Sequence, residues 1–211
     1  MKNTRLSTAN GRPRTFDREA ALDAALDLFW RHGYEGVSIA MLTRAFGIAP
    51  PSLYFAFGSK EALYREALGR YLTLAASRED LDQLSAYDAI AAILRRGAVL
   101  VSQDSRPRGC MVSSGMLACG PELTGLADDI RQIRLATRQD FERRIQADIA
   151  LGRIPSSIDP SALARFYAAV AQGLSVQAID GATTRDLLAV VDRALASWPA
   201  VGVGEPSGRS S

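Results

Sequence analysis

The fold of this chain is decided by residues 16–63, which read FDREAALDAALDLFWRHGYEGVSIAMLTRAFGIAPPSLYFAFGSKEAL. Aspartate and serine commonly cap helix amino termini, as Asp17 and Ser38 are placed to do, and glycine commonly ends helices, as at Gly33 and Gly47. Apolar residues follow each cap at three- and four-residue steps, which is the pattern of an amphipathic helix. The stretch predicts a helix of about four turns from Asp17 to Gly33 and one of about two turns between Ser38 and Gly47.

A third helix is predicted to begin at Pro50 and Pro51, because proline is tolerated only in the first turn of a helix. Gly58 is expected to end this helix, and Ser59 to cap a fourth that runs towards Arg78. Two short helices joined by a glycine turn, and held by a longer first helix, form the geometry that lets one helix enter the major groove of DNA. The residues themselves therefore indicate a helix-turn-helix.

The remainder of the chain shows the same helical pattern. Alanine and leucine recur at three- and four-residue steps, and no stretch shows the sustained period-two alternation of a strand. Further helices are predicted at 87–103, 109–119, 122–151, 160–179 and 184–198. The fold is therefore expected to be all-α, with an amino-terminal three-helix helix-turn-helix domain followed by a larger carboxy-terminal helical domain.

The helical pattern and the composition together predict four segments of the chain. The helix-turn-helix domain is expected at 16–58 and the larger domain at 59–199. Residues 1–15 are basic and polar and are expected to form a flexible arm, whereas the Gly, Ser and Pro-rich residues 200–211 are expected to be a disordered tail.

Charge is unevenly distributed along the 211 residues, although the formal net charge is only +2. The first 60 residues hold eight Lys/Arg against five Asp/Glu, while the remainder holds 17 against 18. The end that attracts a polyanion is therefore the amino-terminal one. Because no apolar run follows the first charges, that end is not a secretory signal, and we expect a cytoplasmic protein. The most apolar stretch, 161–179, contains an arginine and two glutamines, which argues against a membrane span.

Cysteine and histidine are scarce. Two cysteines, Cys110 and Cys119, and the single histidine, His32, cannot supply the four ligands of a structural zinc site. A Ser-His-Asp or Cys-His catalytic pair would have to use His32, inside the helix-turn-helix domain. We therefore expect no metal, no cofactor and no enzymatic activity.

Residues 16–63 resemble the DNA-binding domain of the TetR family of transcriptional regulators (TetR/AcrR type) almost position by position. The features that carry the resemblance are Phe29, Gly33, Tyr34, Ser38, Gly47, Ile48, Ser52, Leu53, Tyr54, Phe57 and the run from Ser59 to Leu63. The resemblance implies a homodimer that binds double-stranded DNA at a near-palindromic operator. It also implies a larger domain that binds a small-molecule effector and dimerises.

The resemblance also implies which residues contact DNA. Ser38 and Lys60 are expected to bind phosphates, and Arg44 either a base edge or a phosphate. Pro50 and Pro51 depart from the commoner polar entry to the reading helix, so apolar contact with thymine methyl groups gains weight. Arginines of the arm suit the minor groove, unless the arm is only a solvated leader. The full set is Arg12, Arg14, Ser38, Arg44, Pro50, Pro51, Ser52, Tyr54, Phe55 and Lys60.

The stretch 108–114, which reads RGCMVSS, resembles a Gly-Cys-hydrophobic motif in a subset of the family, some of whose members sense electrophiles or oxidants through that cysteine. Cys110 is therefore either a sensor or an inert core residue. The family further implies an apolar effector pocket in the larger domain. Its expected members are Tyr64, Cys110, Met111, Met116, Phe141, Phe166 and Tyr167, with Tyr71 and Leu117 as further candidates.

The last two predicted helices carry an apolar strip that the resemblance makes a four-helix dimer interface. Its members are Leu163, Tyr167, Val170, Leu174, Leu187, Val191 and Leu195, together with Phe166 and Leu188. Activation of transcription stays an alternative to repression, because DNA contacts say nothing about operator position. The alternative from another class is a helical small-molecule-binding or thiol-reactive protein without specific DNA binding.

Overall fold

The computed structural model of the protein describes residues 16–76, 81–117 and 119–199. This part of the chain is helical and contains no strand, which confirms the predicted all-α class. The predictions for the arm 1–15, with Arg12 and Arg14, and for the tail 200–211 lie outside the described residues. The helices are α1 Arg18–Gly36, α2 Ile39–Phe46, α3 Pro50–Phe57, α4 Lys60–Ala75, α5 Ala86–Ser102, α6 Thr124–Ala150, α7 Pro160–Ile179 and α8 Thr184–Leu195.

Side-chain caps begin three of the first four helices, as the sequence predicts. The Asp17 carboxylate accepts hydrogen bonds from two backbone N–H groups of the first turn of α1, at 3.0 and 3.1 Å. The Ser38 and Ser59 hydroxyls each accept one such bond in α2 and α4, at 3.1 and 3.0 Å. Each cap satisfies a donor that the helix itself leaves unpaired and is worth about 1 kcal/mol. Local sequence therefore sets where these helices begin.

The first four helices enclose one apolar core. Leu26 and Phe29 of α1 pack with Leu42 of α2, Leu53 of α3 and Leu63 of α4, all at most 2% exposed. Two residues of the segment between α5 and α6 and two of α6 join this core, namely Met111, Val112, Leu126 and Ile130. The α1–α4 unit is thus packed directly onto the rest of the molecule.

A second core lies between α5, α6, α7 and α8. Phe141 and Tyr167 are its largest fully buried side chains and pack with Leu94, while Leu187 and Val191 are its members from α8. The buried Tyr167 hydroxyl donates to the carbonyl of Ala194 at 3.1 Å, which ties α7 to α8. None of the helices in the described ranges combines the length and apolarity that crossing a bilayer requires.

Several predicted boundaries are wrong. The predicted end of the first helix is confirmed, because Gly33 has non-helical φ and ψ values of 70° and 175°, and the residues up to Gly36 form a further short turn beyond this kink. The helix predicted at 109–119 does not form in residues 109–117, which make turns and bends, and Gly109 and Met116 have φ values of +89° and +52° that an α-helix cannot contain. The carboxy-terminal ends of α4 and α8 fall at Ala75 and Leu195, earlier than predicted.

Candidate functional site

The turn between α2 and α3 presents α3 as a short external helix. Gly47 closes α2 in the left-handed conformation, with φ 68° and ψ 33°, which glycine adopts without steric cost. Pro50 and Pro51 occupy the first turn of α3, as predicted. Because Leu53 and Phe57 are buried against the first core, the inner side of α3 is fixed and its outer side is free.

The outer side of α3 is aromatic and uncharged. Pro50, Pro51 and Ser52 are exposed, Tyr54 is 47% exposed, and the Phe55 ring is 95% exposed. No residue of α3 carries a formal charge. A helix of this kind can contact a groove through apolar surface and hydroxyl groups, and it lacks the bidentate side chains that read guanine or adenine.

Two cations flank α3. Arg44 lies exposed on α2, and its guanidinium makes no ion pair or hydrogen bond with the described residues. The Lys60 ammonium lies 4.2 Å from the centre of the Tyr34 ring, which holds it by a cation–π contact. Partial burial lowers the pKa of Lys60, and the nearby Glu35 carboxylate opposes this effect.

Ser38 differs from these cations because its hydroxyl is already engaged. The Oγ atom accepts the capping bond from Met41, but its O–H remains available as a donor. The structure therefore leaves the eight predicted DNA-contacting residues of the described chain exposed or half-exposed on α2, α3 and the start of α4.

A cavity of about 410 Å³ lies at the junction of α4 with α5, α6 and α7. Its size is in the range of small-molecule sites. Most of its wall is apolar. The lining residues are Tyr71, Leu72, Ala75, Ala76, Leu81, Ile93, Leu94, Arg96, Gly97, Leu100, Val101, Cys110, Val112, Ser113, Ile133, Thr137, Asp140, Phe141, Ala171 and Leu174.

The two charged side chains of the cavity wall have partners inside the chain. Arg96 donates to the carbonyls of Leu74 and Ala75 at the end of α4, at 2.9 and 3.2 Å. Burial acts to raise the pKa of Asp140, but hydrogen bonds from Arg144 and Arg143 bring that pKa below its ordinary value. Since both charges are satisfied, the cavity suits an uncharged, mostly apolar molecule.

Cys110 is the one thiol in the lining of this cavity. The Tyr71 hydroxyl donates to its Sγ at 3.0 Å, and the Ser113 N–H donates at 3.3 Å. Burial, with a further contribution from Cys110, raises the pKa of Tyr71, so the phenol stays a donor. The half-buried Cys110 also lines a separate surface groove with Trp30, Arg31, Pro107, Arg108, Ser114 and Ile179.

The predicted pocket residues are only partly brought together. Cys110 and Phe141 line the cavity, as does Tyr71. The other five do not line it. Tyr64 belongs to the first core, where burial raises its pKa to about 12, and Met111 and Met116 pack in or against the same core. Phe166 is 44% exposed on the outside of α7, and Tyr167 is buried in the second core. Apolarity in the sequence does not distinguish a core position from a cavity wall.

The predicted dimer strip is also misplaced. Five of its residues are buried inside the single chain and cannot reach a partner, namely Tyr167, Leu174, Leu187, Val191 and Leu195. Leu163, Val170 and Leu188 are half-buried. The residues of α7 and α8 that present large apolar surface to solvent are Phe166, Val176, Ile179 and Val190. The apolar strip in the sequence is the side of each helix that packs inside the chain, where α7 contacts α5 and α6, and α8 contacts α5 and α7.

Sequence reasoning missed most of the cavity wall, including Leu94, Leu100 and Ile133. These residues have the same spacing as core residues, and only the three-dimensional packing separates them. In the described residues, no three His, Cys, Asp or Glu side chains gather into a group that could hold a metal ion.

A helix-turn-helix joined to a larger helical domain with an internal cavity defines the class of helix-turn-helix transcriptional regulators. Residues 21–67 match the sequence model of the family described as bacterial regulatory proteins, tetR family. The repressors ComR and BdcR of Escherichia coli (strain K12) are each 32% identical to this chain, over 195 and 192 residues. Both alignments cover 90% of this chain, and they cover 93% and 92% of the two relatives.

A solved structure gives a further similarity. A cysteine-substituted variant of the TetR family transcriptional regulator CifR, complexed with 26-base-pair double-strand operator DNA, is 45% identical to this chain with a TM-score of 0.80. The match covers 90% of this chain and 100% of that one. The chain therefore belongs to the TetR family, whose members are transcriptional regulators and not enzymes.

Proposed function

We propose that the protein is a transcriptional repressor that binds a near-palindromic double-stranded operator as a homodimer. A small uncharged effector, or modification of Cys110, would release it. The observation that carries the proposal is the fixed α3 helix with its exposed aromatic outer side. The relatives support it, since ComR and BdcR are repressors and CifR is bound to operator DNA. The site of action is the cytoplasm.

Phosphate contacts hold the protein on the duplex in this proposal. The Ser38 hydroxyl and the Lys60 ammonium bind phosphates, which position the protein without specifying sequence. The Tyr34 ring keeps the Lys60 ammonium in one place and so lowers the entropy lost on binding. Arg12 and Arg14, outside the described residues, enter the minor groove, and a solvated arm without contacts is the alternative.

Base reading is mainly apolar. The Phe55 ring and the exposed Pro50 and Pro51 side chains contact thymine methyl groups, while Ser52 and Tyr54 supply hydroxyl donors. Arg44 contacts a guanine edge or a phosphate. An operator half-site rich in A·T pairs is therefore expected opposite α3.

The dimer interface is formed by the outer sides of α7 and α8. Phe166, Val176 and Ile179 of α7 and Val190 of α8 are each more than a third exposed, and exposed large apolar residues are a feature of partner surfaces. Two copies would pack these helices as a four-helix bundle. The dimer then presents two α3 helices about one DNA turn apart, or a multiple of it.

Release acts through the cavity and Cys110. The thiolate is the reactive form of cysteine, and in Cys110 the sulfur accepts hydrogen bonds from the Tyr71 hydroxyl and the Ser113 N–H. Attack on an electrophilic carbon forms an S–C bond while the electron pair moves onto the electrophile, which takes up the proton lost by the thiol. The product occupies space between α4 and α5–α7, and favours a dimer whose α3 helices no longer fit adjacent grooves.

The test is selection of the purified full-length protein on a randomised duplex pool at two salt concentrations. An enriched palindrome with a steep salt dependence is the expected result. Weak binding without enrichment would reject the proposal in favour of a thiol-reactive helical protein without specific DNA binding. A promoter–reporter assay with the selected operator then distinguishes repression from activation.

A further inference from the structure

We propose that Trp30 is the positioning residue that couples the state of Cys110 to the DNA-reading helices. This inference rests on the proposed function and concerns the path by which release is transmitted. It is carried by a set of buried contacts that link α1 to the segment before Cys110, and that segment to α7.

Trp30 reaches the surroundings of Cys110 by two routes. Its indole N–H donates to the carbonyl of Gly109 at 2.9 Å, in a buried hydrogen bond that spans 79 positions of the sequence. Its ring also packs edge-on against Tyr71, with centroids 4.8 Å apart. Tyr71 in turn donates to the Cys110 Sγ. Trp30 is 6% exposed and belongs to the first core, so it moves with α1.

The opposite side of the same segment is fixed to α7. The Cys110 N–H donates to the Oγ of the fully buried Ser175 at 2.9 Å. Arg108 donates to the carbonyl of Ala182, just beyond α7, at 2.9 Å. Gly109 lies so close to Ile179 that a Cβ atom would stand 2.8 Å from that side chain. Two hydrogen bonds and one close side-chain contact therefore hold the segment against α7.

The contacts of this segment with α7 determine which of its neighbours moves when Cys110 is modified. A group added to the Cys110 Sγ needs volume and displaces the Tyr71 hydroxyl from the sulfur. Because α7 holds the opposite side of the segment, we expect the added group to move Tyr71 and, through it, Trp30 of α1. A buried indole N–H needs an acceptor, so loss of the Gly109 carbonyl favours a new position of α1. The helices α2 and α3 are packed on α1 through the first core and follow it.

The experiment uses the full-length protein with Cys119→Ser as background, so that N-ethylmaleimide reacts only with Cys110. Mass spectrometry verifies a single adduct. Operator affinity of the homodimer is measured before and after modification in the background, in Trp30→Phe and in the matched control Trp198→Phe. Trp198 packs against Tyr87 and Tyr167 at the second core, away from the Cys110 segment.

We expect modification to weaken operator binding by about tenfold or more in the background and in Trp198→Phe, a size usual for allosteric coupling. In Trp30→Phe, which keeps an edge-on ring but has no N–H, unmodified binding stays within about threefold and the loss on modification falls below about twofold. An equal loss in Trp30→Phe overturns the role of Trp30 and leaves the cysteine switch intact. No loss in the background overturns the switch and the coupling together.

A second measurement decides the matter if Trp30→Phe folds poorly. In Trp198→Phe, Trp30 is the single tryptophan of the chain, and its fluorescence reports its surroundings directly. Modification of Cys110 should shift its emission, because the indole loses the Gly109 carbonyl. An unchanged spectrum on a fully modified sample would overturn the proposal.

Discussion

The two halves of the molecule are packed differently. The α1–α4 unit has a closely packed core, in which Leu42, Leu53 and Leu63 are fully buried, and its grooves and reading surface lie on its outside. The junction of α4 with α5–α7 instead contains an apolar cavity of about 410 Å³. A filled core holds external side chains still, whereas a hollow junction has alternative packings of similar free energy. The comparison suggests that one part of the chain is built to position side chains and the other to respond.

The largest expected effect concerns this difference in packing. Leu53→Ala removes a side chain from the filled core, and we expect a loss of about 4–5 kcal/mol in the free energy of unfolding. Leu100→Ala, at the cavity wall, should cost about 2–3 kcal/mol, because that half-buried side chain faces the cavity. Urea unfolding of both variants at one protein concentration is the measurement. An equal or larger loss at Leu100 would remove the distinction between the closely packed core and the cavity wall.

The second largest effect is expected for operator binding by the exposed outer side of α3. Phe55→Ala should weaken binding to the selected operator by about 1–3 kcal/mol and leave stability unchanged, because the ring is 95% exposed. Val99→Ala, which is 45% exposed on α5, is the control and should leave operator binding unchanged.

The same variants test the thymine contact. Replacing thymine by deoxyuridine opposite α3 deletes only the methyl group. This change should weaken binding of the natural protein but have little further effect on Phe55→Ala. Additive losses would show that Phe55 does not contact the methyl groups.

A smaller effect is expected inside the cavity. Gly97 lies within α5 at the cavity wall, and a Cβ added there meets no atom within 4 Å. Gly97→Ala should therefore stabilise the protein by about 0.5–1 kcal/mol through helix propensity, and should narrow the space for an effector. Thermal unfolding gives the first result. Destabilisation would mean that the wall is already closely packed.

The smallest effect is pH-dependent. The pKa of Asp140 is below its ordinary value, so its contribution to stability is present above about pH 3.9 and is lost as the pH falls through the folded-state pKa. Asp140→Asn should cost less than about 1 kcal/mol at pH 7 and flatten this acid dependence. Asp128→Asn, at a more exposed pair on the same helix, should have a smaller effect. Identical acid profiles for Asp140→Asn and the natural protein would contradict the assignment.

Local chemistry explains which parts of the fold could be predicted. The starts of α1, α2 and α4 depend on Asp17, Ser38 and Ser59, whose capping bonds reach only two or three residues along the chain. The turn at Gly47 likewise depends on one residue. Such features can be predicted from sequence because their partners are adjacent in it.

The predictions are wrong where contacts between residues far apart in the sequence determine the local structure. The run 109–119 has helical spacing but forms turns that are held from α6, where Arg134 donates to the carbonyls of Val112 and Gly115 at 2.8 and 3.0 Å. On α7, the neighbouring Phe166 and Tyr167 are both apolar, yet one is exposed and the other buried. Periodicity identifies apolar faces and does not say whether a face meets the core, a cavity or a second copy.

The most direct test of regulated DNA binding is titration of the selected operator with the full-length protein, before and after treatment with N-ethylmaleimide. Cys119→Ser and the double variant Cys110→Ser/Cys119→Ser are compared. If modification of Cys110 regulates DNA binding, two chains should bind each operator, the modified Cys119→Ser protein should be released, and the double variant should not respond. Tight binding that is unchanged by modification of Cys110, or release that persists in the double variant, would contradict it.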